Sequence, residues 1–346
     1  MRIAVVNAMA PFVWGGAEEL AHHLVVNLER LGHDAHLFRI PFAWEPFDQI
    51  PVEMARLKAL RLPDFDRVIS MKFPIYLLDA DRHTTWLVHQ YRQAYDLRNS
   101  PFGNIPESPE GDAVRDMIVA SDNEALRSRD GLFTISAEIS RRLRNFNGIE
   151  ADPLRAPIND PELFTGGPSG NYILAPGRIN ASKRQSLLLE ALAHLGPTAR
   201  LVIAGPPETD DDRSTLLKLV ERYDLADRVK LDLRFLSRDE LSRYVNDCRA
   251  VAYLPFQEDS YGYVTMEAFE AGKPVITTTD AGELLDIVIH DATGQVVAPT
   301  PETLAGAMEF YLEHSDRARD HGAAGQELWR ATGINWTDNI NRLLGQ

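Results

Sequence analysis

The sequence predicts an α/β protein made of two doubly wound halves, each built on a parallel sheet. Strand-like and helix-like segments alternate along most of the 346 residues. A glycine pair, Gly15-Gly16, separates the first strand-like run from the first helical pattern, and after a cluster of chain-breaking residues at 156–170 the alternation begins again. Such strand–helix–strand units form parallel sheets with right-handed crossovers.

In the first half, Arg2–Asn7 is a short β-rich run. It fits a buried strand or, with Ala8-Met9-Ala10, a short signal peptide; Asn7 interrupts the apolar run and favours the strand. Leucines at 20, 24, 28 and 31 lie on one face of a helix that Gly32 ends. The remaining predicted elements are strands at 35–40, 67–70, 86–89 and 131–136, a loop at 99–110 and a helix at 137–144.

Residues 156–170, rich in proline and glycine, are the best linker candidate, so the predicted domains are 1–165 and 166–328. In the second half, Ser237 and Glu240 form a capping box that opens a helix to Cys248, and Thr300 caps a helix with Pro301 at its first position. The other predicted elements are strands at 172–175, 200–204, 229–233, 250–254, 274–278 and 295–298, and helices at 183–194, 211–223 and 265–271.

Composition restricts the class of protein. A length of 346 residues fits two domains at roughly 150 residues each. The chain has 36 Lys and Arg against 51 Asp and Glu, a net charge of −15, which argues against a nucleic-acid partner. A single cysteine, Cys248, excludes an intrachain disulfide and a cysteine-based zinc site. No apolar run has the ~18 residues that a membrane span needs, and a cytoplasmic location is expected.

Two loops that follow predicted strands carry groups suited to phosphate. Gly15-Gly16 allows close approach to the amides of a helix N-terminus, although a tight turn explains this pair equally well. Arg178 and Lys183 follow the first strand of the second half. A bidentate guanidinium and an ammonium point charge at that place suit a diphosphate, whereas the alternative is a solvated basic turn.

The segment 258–276 places two carboxylates around a loop-to-helix junction. Asp259 lies in the loop, and Glu267, with seven residues between them, lies in the first turns of the next helix. The amides of 260–265 are positioned at that helix N-terminus, where they favour phosphate or sugar oxygens. Carboxylates accept hydrogen bonds from vicinal hydroxyls, although an acidic helix cap is the common alternative.

His89 ends a predicted strand, where it suits contact with a substrate hydroxyl or proton transfer, although a structural histidine is the commoner case. No metal-ligand spacing is present among the ten histidines, and Asp210-Asp211-Asp212 is typical of a helix start. We therefore expect neither a metal nor another cofactor.

Together these segments resemble a GT-B-fold glycosyltransferase of the retaining family-4 type, over nearly the whole chain. The signature of Glu, seven residues and Glu is the most specific of them. The segments are GGAEELAHHLVVNLERLGHDAHLF (15–38), FTISAEISRRL (133–143), INDPELF (158–164), PGRINASKRQSLLLEAL (176–192), DSYGYVTMEAFEAGKPVI (259–276) and AGELLDIVIHDATGQVV (281–297).

The resemblance implies two facing Rossmann-like domains with a cleft between them, and a C-terminal helix at about 329–346 that packs back on the first domain. It also implies that Arg178 and Lys183 bind the donor diphosphate and that Glu267 binds ribose hydroxyls. Asp259 stands at the first Glu position, one methylene shorter than the usual residue, with Glu258 adjacent.

Further roles come from the same resemblance. The amides of Tyr261, Gly262, Tyr263 and Val264 are implied to contact sugar and phosphate. From the first domain, Gly15 and Gly16 are implied to approach the phosphates, and His89 to lie near the donor sugar and the acceptor.

The resulting hypothesis is a retaining, metal-independent hexosyltransferase that moves a sugar from a nucleotide-sugar donor to an acceptor hydroxyl, as in polysaccharide biosynthesis. A sugar, a lipid-linked molecule or another small molecule is the expected acceptor. Arg141, Arg142 and Arg144 leave peripheral contact with the inner face of a membrane open. Two alternatives are a nucleotide-sugar epimerase of the same fold and a non-catalytic subunit that binds nucleotide sugars.

Overall fold

The computed structural model describes residues 1–9, 14–62, 64–100, 103–168 and 170–346. These residues form two compact units, Met1–Pro157 with Ile334–Gln346, and Ile158–Gly333. The junction lies at 157/158, whereas the sequence analysis placed it at 165/166. The segment before Gly166 joins the second unit because Asn246 Nδ2 donates to the Leu163 carbonyl (2.8 Å).

The described strands of the first unit form one parallel sheet. They are β1 (Arg2–Met9), β2 (Asp34–Pro41), β3 (Arg67–Lys72), β4 (His83–His89), β5 (Gly131–Thr134) and β6 (Asp152–Pro153). Their order in the sheet is β2-β1-β3-β4-β5-β6. The direction of winding therefore reverses between β1 and β3, and loops at the carboxyl ends of strands beside such a switch point form ligand sites in doubly wound sheets.

Four described helices cover this sheet. They are α1 (Gly16–Arg30), α2 (Ile50–Lys58), α3 (Pro109–Arg127) and α4 (Ala137–Asn147). The sequence patterns did not predict α2 or α3. In α1 the leucines at 20, 24 and 28 are buried, as predicted. The loop predicted at 99–110 ends earlier, at Ser108, because the hydroxyl of this residue accepts from the Gly111 amide and caps α3.

The second unit also has a parallel sheet. Its described strands are β7 (Tyr172–Pro176), β8 (Arg200–Ala204), β9 (Val229–Asp232), β10 (Ala250–Ala252), β11 (Val275–Thr278) and β12 (Gly294–Val297). Their order is β12-β11-β10-β7-β8-β9, so the winding reverses between β7 and β10. This is the strand order of the dinucleotide-binding fold, and it brings the loops after β7 and β10 together.

The helices of the second unit confirm both predicted caps. They are α5 (Gln185–Ala193), α6 (Asp210–Arg222), α7 (Arg238–Asp247), α8 (Tyr263–Glu270), α9 (Pro301–Glu313) and α10 (Ser315–Ala331). Ser237 and Glu240 form the capping box of α7, and the Thr300 hydroxyl accepts from the Thr303 amide at the start of α9. The helix predicted at 183–194 begins only at Gln185, because Arg184 adopts a left-handed backbone (φ 54°).

The predicted C-terminal helix at 329–346 is divided between the two units. It breaks at Gly333 (φ 66°), and the new helix α11 (Trp336–Leu344) starts after the cap Asn335. Only this part packs on the first unit, where the Thr84 hydroxyl donates to the Leu343 carbonyl (3.0 Å). Trp329 stays in the second unit, and its indole donates to Glu270 (3.1 Å).

The arginines of α4 considered for membrane contact lie in ion pairs. Arg141 and Arg142 pair with Glu138 (2.6 and 2.8 Å), and Arg144 pairs with Glu150 (2.6 Å). The positive charge of this face is therefore compensated locally. Among the described residues, no helix is both long enough and apolar enough to cross a membrane.

Asn159 provides a test of the packing at the start of the second unit. This residue is buried, and neither end of its amide has a hydrogen-bond partner among the described residues. A buried polar group without a partner costs about 1–3 kcal/mol. We expect Asn159→Val to stabilise the protein by about this amount, measured as a rise in the thermal unfolding temperature.

Asn147 is the matched control, because it is also buried but donates to Tyr95 (3.2 Å) and Asn123 (2.8 Å). Asn147→Val should therefore lower the unfolding temperature. A fall in the unfolding temperature of Asn159→Val would contradict the prediction.

Candidate functional site

The loop after β7 carries both predicted diphosphate cations. Gly177 (φ 105°) turns the chain away from the strand, and Arg178 follows directly. Lys183 lies in the loop and not in α5; its amide donates to the Asn180 carbonyl (3.1 Å) and side chain (3.0 Å). The fold therefore places both cations at the carboxyl end of β7, beside the switch point of the second sheet.

Lys183 forms a tight cluster with two residues from the chain that follows β10. Its Nζ contacts the Glu258 carboxylate and lies 2.8 Å from the Tyr253 hydroxyl, which donates to the same Glu258 oxygen, Oε2 (2.7 Å). Burial lowers the pKa of Lys183, but the Glu258 carboxylate raises it, with a net rise. Lys183 is therefore a protonated, partly buried cation with a carboxylate partner.

Arg178 has a looser partner. Its guanidinium lies 3.5 Å from Glu208, and about a third of each side chain is exposed (34% and 38%). Glu208 also accepts from Asn180 Nδ2 (2.7 Å). The guanidinium of Arg178 is thus only weakly held, as expected of an ion pair in contact with solvent.

Arg184, which the sequence analysis did not single out, is a structural arginine. It donates to the carbonyls of Leu254 and Pro255 (2.9 Å each) and to the Thr278 hydroxyl (2.9 Å), and it makes a bidentate pair with Asp280 (2.8 Å). The Arg184 hydrogen bonds lower the pKa of Asp280. Arg184 therefore joins the loops after β7, β10 and β11 beside Lys183.

The loop before α8 has the predicted loop-to-helix form. Gly262 (φ 72°) ends it, and a Cβ at this position would lie 2.7 Å from the Tyr253 ring, so only glycine fits. Tyr263 and Val264 form the first turn of α8, the positive end of the helix dipole. Asp259 is half-buried at the start of this loop, and Tyr261 is buried within it.

Glu267 lies in α8 as predicted, but with a partner that the sequence did not reveal. It is 2% exposed and pairs with Arg238 at the start of α7. Arg238 also donates to the Asn159 carbonyl (2.9 Å), pairs with Asp160 (3.4 Å) and lies over the Phe164 ring (5.1 Å). Arg238 thus connects α7, α8 and the segment 158–164 around one buried carboxylate.

In the first unit, Gly15 and His89 are linked through two residues that the sequence analysis missed. The Gly15 amide donates to Glu18 (3.1 Å), whose other oxygen accepts from Lys72 Nζ (2.8 Å). Lys72 ends β3 and is the register partner of His89 on β4. Gly16 is exposed as the first residue of α1.

His89 is held in its neutral form by its surroundings. Burial first, and the Lys72 ammonium second, lower the pKa of His89 to about 4. Its Nδ1–H donates to the Gln90 carbonyl (2.8 Å), which leaves Nε2 as the acceptor nitrogen. In the parts of the chain that the structure describes, no group of three or more His, Cys, Asp or Glu side chains is arranged to hold a metal ion.

The predicted residues therefore form three groups. Arg178, Lys183 and the loop from Asp259 to Val264 lie beside the switch point of the second sheet, Glu267 lies in α8 with Arg238, and Gly15, Gly16 and His89 lie in the first unit. Capping boxes at 15–18 and 237–240 are the only sequence signals near the missed residues Glu18 and Arg238.

Comparison with known proteins agrees with this architecture. Two similar structures are sucrose-phosphate synthase from Thermosynechococcus elongatus (TM-score 0.77, 18% identity) and Anabaena HepE in complex with UDP-glucose (TM-score 0.74, 16% identity). Each match covers 99% of this chain and 98% of the other. At these identities the likeness establishes the fold, the two-domain α/β fold called GT-B.

Curated relatives include D-inositol 3-phosphate glycosyltransferases. Those of Mycobacterium marinum and Jonesia denitrificans are 26% and 28% identical over 77% and 74% of this chain. The chain spans 59% and 66% of the length of these relatives. Residues 166–328 match the family model described as glycosyl transferases group 1. This match lies within the second unit, Ile158–Gly333.

Proposed function

We propose that the chain transfers a hexosyl group from a nucleotide-sugar donor to an acceptor hydroxyl, with retention at the anomeric carbon and without a metal. One observation carries the proposal: Arg178 and Lys183 share the loop at the switch point of the unit that matches the family model. HepE, of the same fold, was solved with UDP-glucose, which supports a nucleotide-sugar donor. No observation favours the epimerase or the binding subunit over transfer.

The main catalytic effect is stabilisation of the departing diphosphate. The bond between the anomeric carbon and the phosphate oxygen breaks, and negative charge develops on that oxygen, where adjacent cations lower the barrier most. Arg178 and Lys183 supply this charge, so no metal ion is needed. The acceptor hydroxyl attacks from the face that the diphosphate leaves, which gives retention without a covalent intermediate. Its proton passes to the departing phosphate oxygen and from there to solvent.

Lys183→Ala should lower turnover at least about tenfold while the fold stays intact, because a charge-assisted hydrogen bond is worth about 1.5–3 kcal/mol. Transfer is measured in EDTA with UDP-, GDP- and ADP-sugars and a panel of sugar, polyol and lipid-linked acceptors. Lys218→Ala, an exposed lysine of α6, is the matched control and should retain full turnover. Wild-type activity in a folded Lys183→Ala protein, or activity that requires added magnesium, would contradict the corresponding part of the proposal.

Asp259 and Glu267 should separate recognition of the sugar from recognition of the nucleotide. Asp259→Ala should impair transfer while the nucleoside diphosphate still binds, because its proposed partners are sugar hydroxyls. Glu267→Gln, which keeps the volume of this buried side chain, should weaken the nucleoside diphosphate itself through the ribose hydroxyls. Losing a partner costs about 1–3 kcal/mol, which calorimetry resolves. Full transfer by Asp259→Ala would refute its assignment.

His89 is proposed to accept a hydrogen bond from a substrate hydroxyl, which requires the neutral imidazole. Its pKa is lowered from 6.5 to about 4, so the unfolded chain binds a proton between these values that the folded chain does not. The contribution of His89 to the free energy of unfolding is therefore largest above pH 6.5 and decreases as the pH falls towards 4.

Subtracting the free energy of unfolding of His89→Gln from that of the wild type isolates this contribution. The difference should be constant above pH 7 and fall between pH 6.5 and 4, measured by urea unfolding across the series. A difference that does not change with pH would contradict the lowered pKa.

A further inference from the structure

Two polar groups contact one carboxylate oxygen of Glu258 beside the proposed diphosphate site. Glu258 Oε2 accepts from the Tyr253 hydroxyl (2.7 Å) and contacts Lys183 Nζ. The side chains of Lys183 and Glu258 are each 21% exposed, so the ion pair is largely, but not completely, shielded from solvent. Burial raises the pKa of Tyr253, which keeps its hydroxyl protonated as the donor to Glu258.

The backbones of both partners of this ion pair are held in place, that of Lys183 by its bonds to Asn180, so the two partners differ in the length of their side chains. The Glu258 amide donates to the Ala281 carbonyl (2.8 Å), and the Glu258 carbonyl accepts from the Glu283 amide (3.1 Å). A Cβ at Gly282 (φ 91°) would lie 2.4 Å from the Glu258 carbonyl oxygen, so the two backbones are closely packed. The carboxylate of Glu258 lies only two methylene groups from its backbone, whereas the ammonium of Lys183 sits at the end of a flexible four-carbon chain.

We propose that Glu258 is a positioning residue that holds Lys183 when no diphosphate is bound and competes with the diphosphate for its ammonium group. In this scheme the fixed carboxylate takes the place of a phosphate oxygen, and Lys183 moves between the two. The proposal rests on the proposed function, because it takes Lys183 to be a ligand of the diphosphate.

This competition bears on product release, because transfer changes the charge of the nucleotide. When the anomeric carbon–oxygen bond breaks, the bonding electrons stay on the phosphate oxygen. The acceptor's proton ends in solvent, because the second pKa of a terminal phosphate is about 6, so the product carries one more negative charge than the donor. Cations that contact the diphosphate therefore bind the nucleoside diphosphate product more tightly than the donor. A carboxylate that recaptures Lys183 weakens product binding and speeds its release, a step that limits turnover in many enzymes.

The test is the affinity of Glu258→Gln for nucleoside diphosphates. Glutamine keeps the size of the side chain and an oxygen acceptor for Tyr253 and Lys183, but it removes the charge. UDP, GDP and ADP are each titrated into the full chain by calorimetry. The nucleotide that binds the wild type should bind the variant about tenfold tighter, the factor that corresponds to about 1.4 kcal/mol, and it should dissociate more slowly in stopped-flow displacement.

Two controls separate electrostatics from a structural effect. Glu208→Gln removes the partner of Arg178, which is looser and more exposed, and it should change the affinity less than about threefold. The matching nucleoside has no phosphate, so its affinity should be the same for the wild type and Glu258→Gln.

The outcomes distinguish this inference from the proposed function. Equal or weaker nucleotide binding by a folded Glu258→Gln protein overturns the inference alone, as does an equal gain in nucleoside affinity. If the wild type binds none of the three nucleotides, the proposed function fails and the inference fails with it.

Discussion

Charge compensation is the constraint on which the candidate site of the second unit depends. An ammonium or guanidinium that is partly removed from water needs a nearby negative charge, since desolvation costs several kcal/mol per ion. Lys183 lies against Glu258, Arg184 against Asp280, and Arg238 against Glu267. The partners come from different loops and helices, so these ion pairs also fix the positions of the loops at the carboxyl ends of β7, β10 and β11.

The ion pairs of Arg184 and Lys183 have different roles, because a guanidinium and an ammonium group differ in shape and in the number of hydrogen bonds they make. Arg184 uses its planar fork to reach two carbonyls, a hydroxyl and both oxygens of Asp280, an arrangement that a ligand would have to break at many points. Lys183 is a point charge on a flexible chain and can change partner at little cost. The same loop therefore contains an arginine that maintains the structure and a neighbouring lysine that, in our proposal, exchanges its partner for a ligand.

The sequence was informative where local patterns determine structure. The positions of Arg178 and Lys183 after a strand, and of Glu267 after a glycine-ended loop, follow from strand and helix signals a few residues away. The partner of Glu267 did not follow, because Arg238 is 29 positions away in sequence and meets it only through the packing of α7 on α8. Two helix boundaries were missed because single backbone conformations set them, at Arg184 (φ 54°) and Gly333 (φ 66°).

The first unit obeys the same constraint, with a different chemical result. Glu18 caps α1 through the Gly15 amide and also pairs with Lys72, so one carboxylate both closes the glycine turn and compensates the cation at the end of β3. The adjacent His89 is buried and stays uncharged, with Nδ1–H committed to the Gln90 carbonyl. A neutral imidazole is an acceptor for a hydroxyl and cannot offset the charge of a departing diphosphate. Under the proposed function, Arg178 and Lys183 of the second unit stabilise that leaving group, so the proposed competition between Glu258 and the diphosphate for Lys183 bears directly on catalysis.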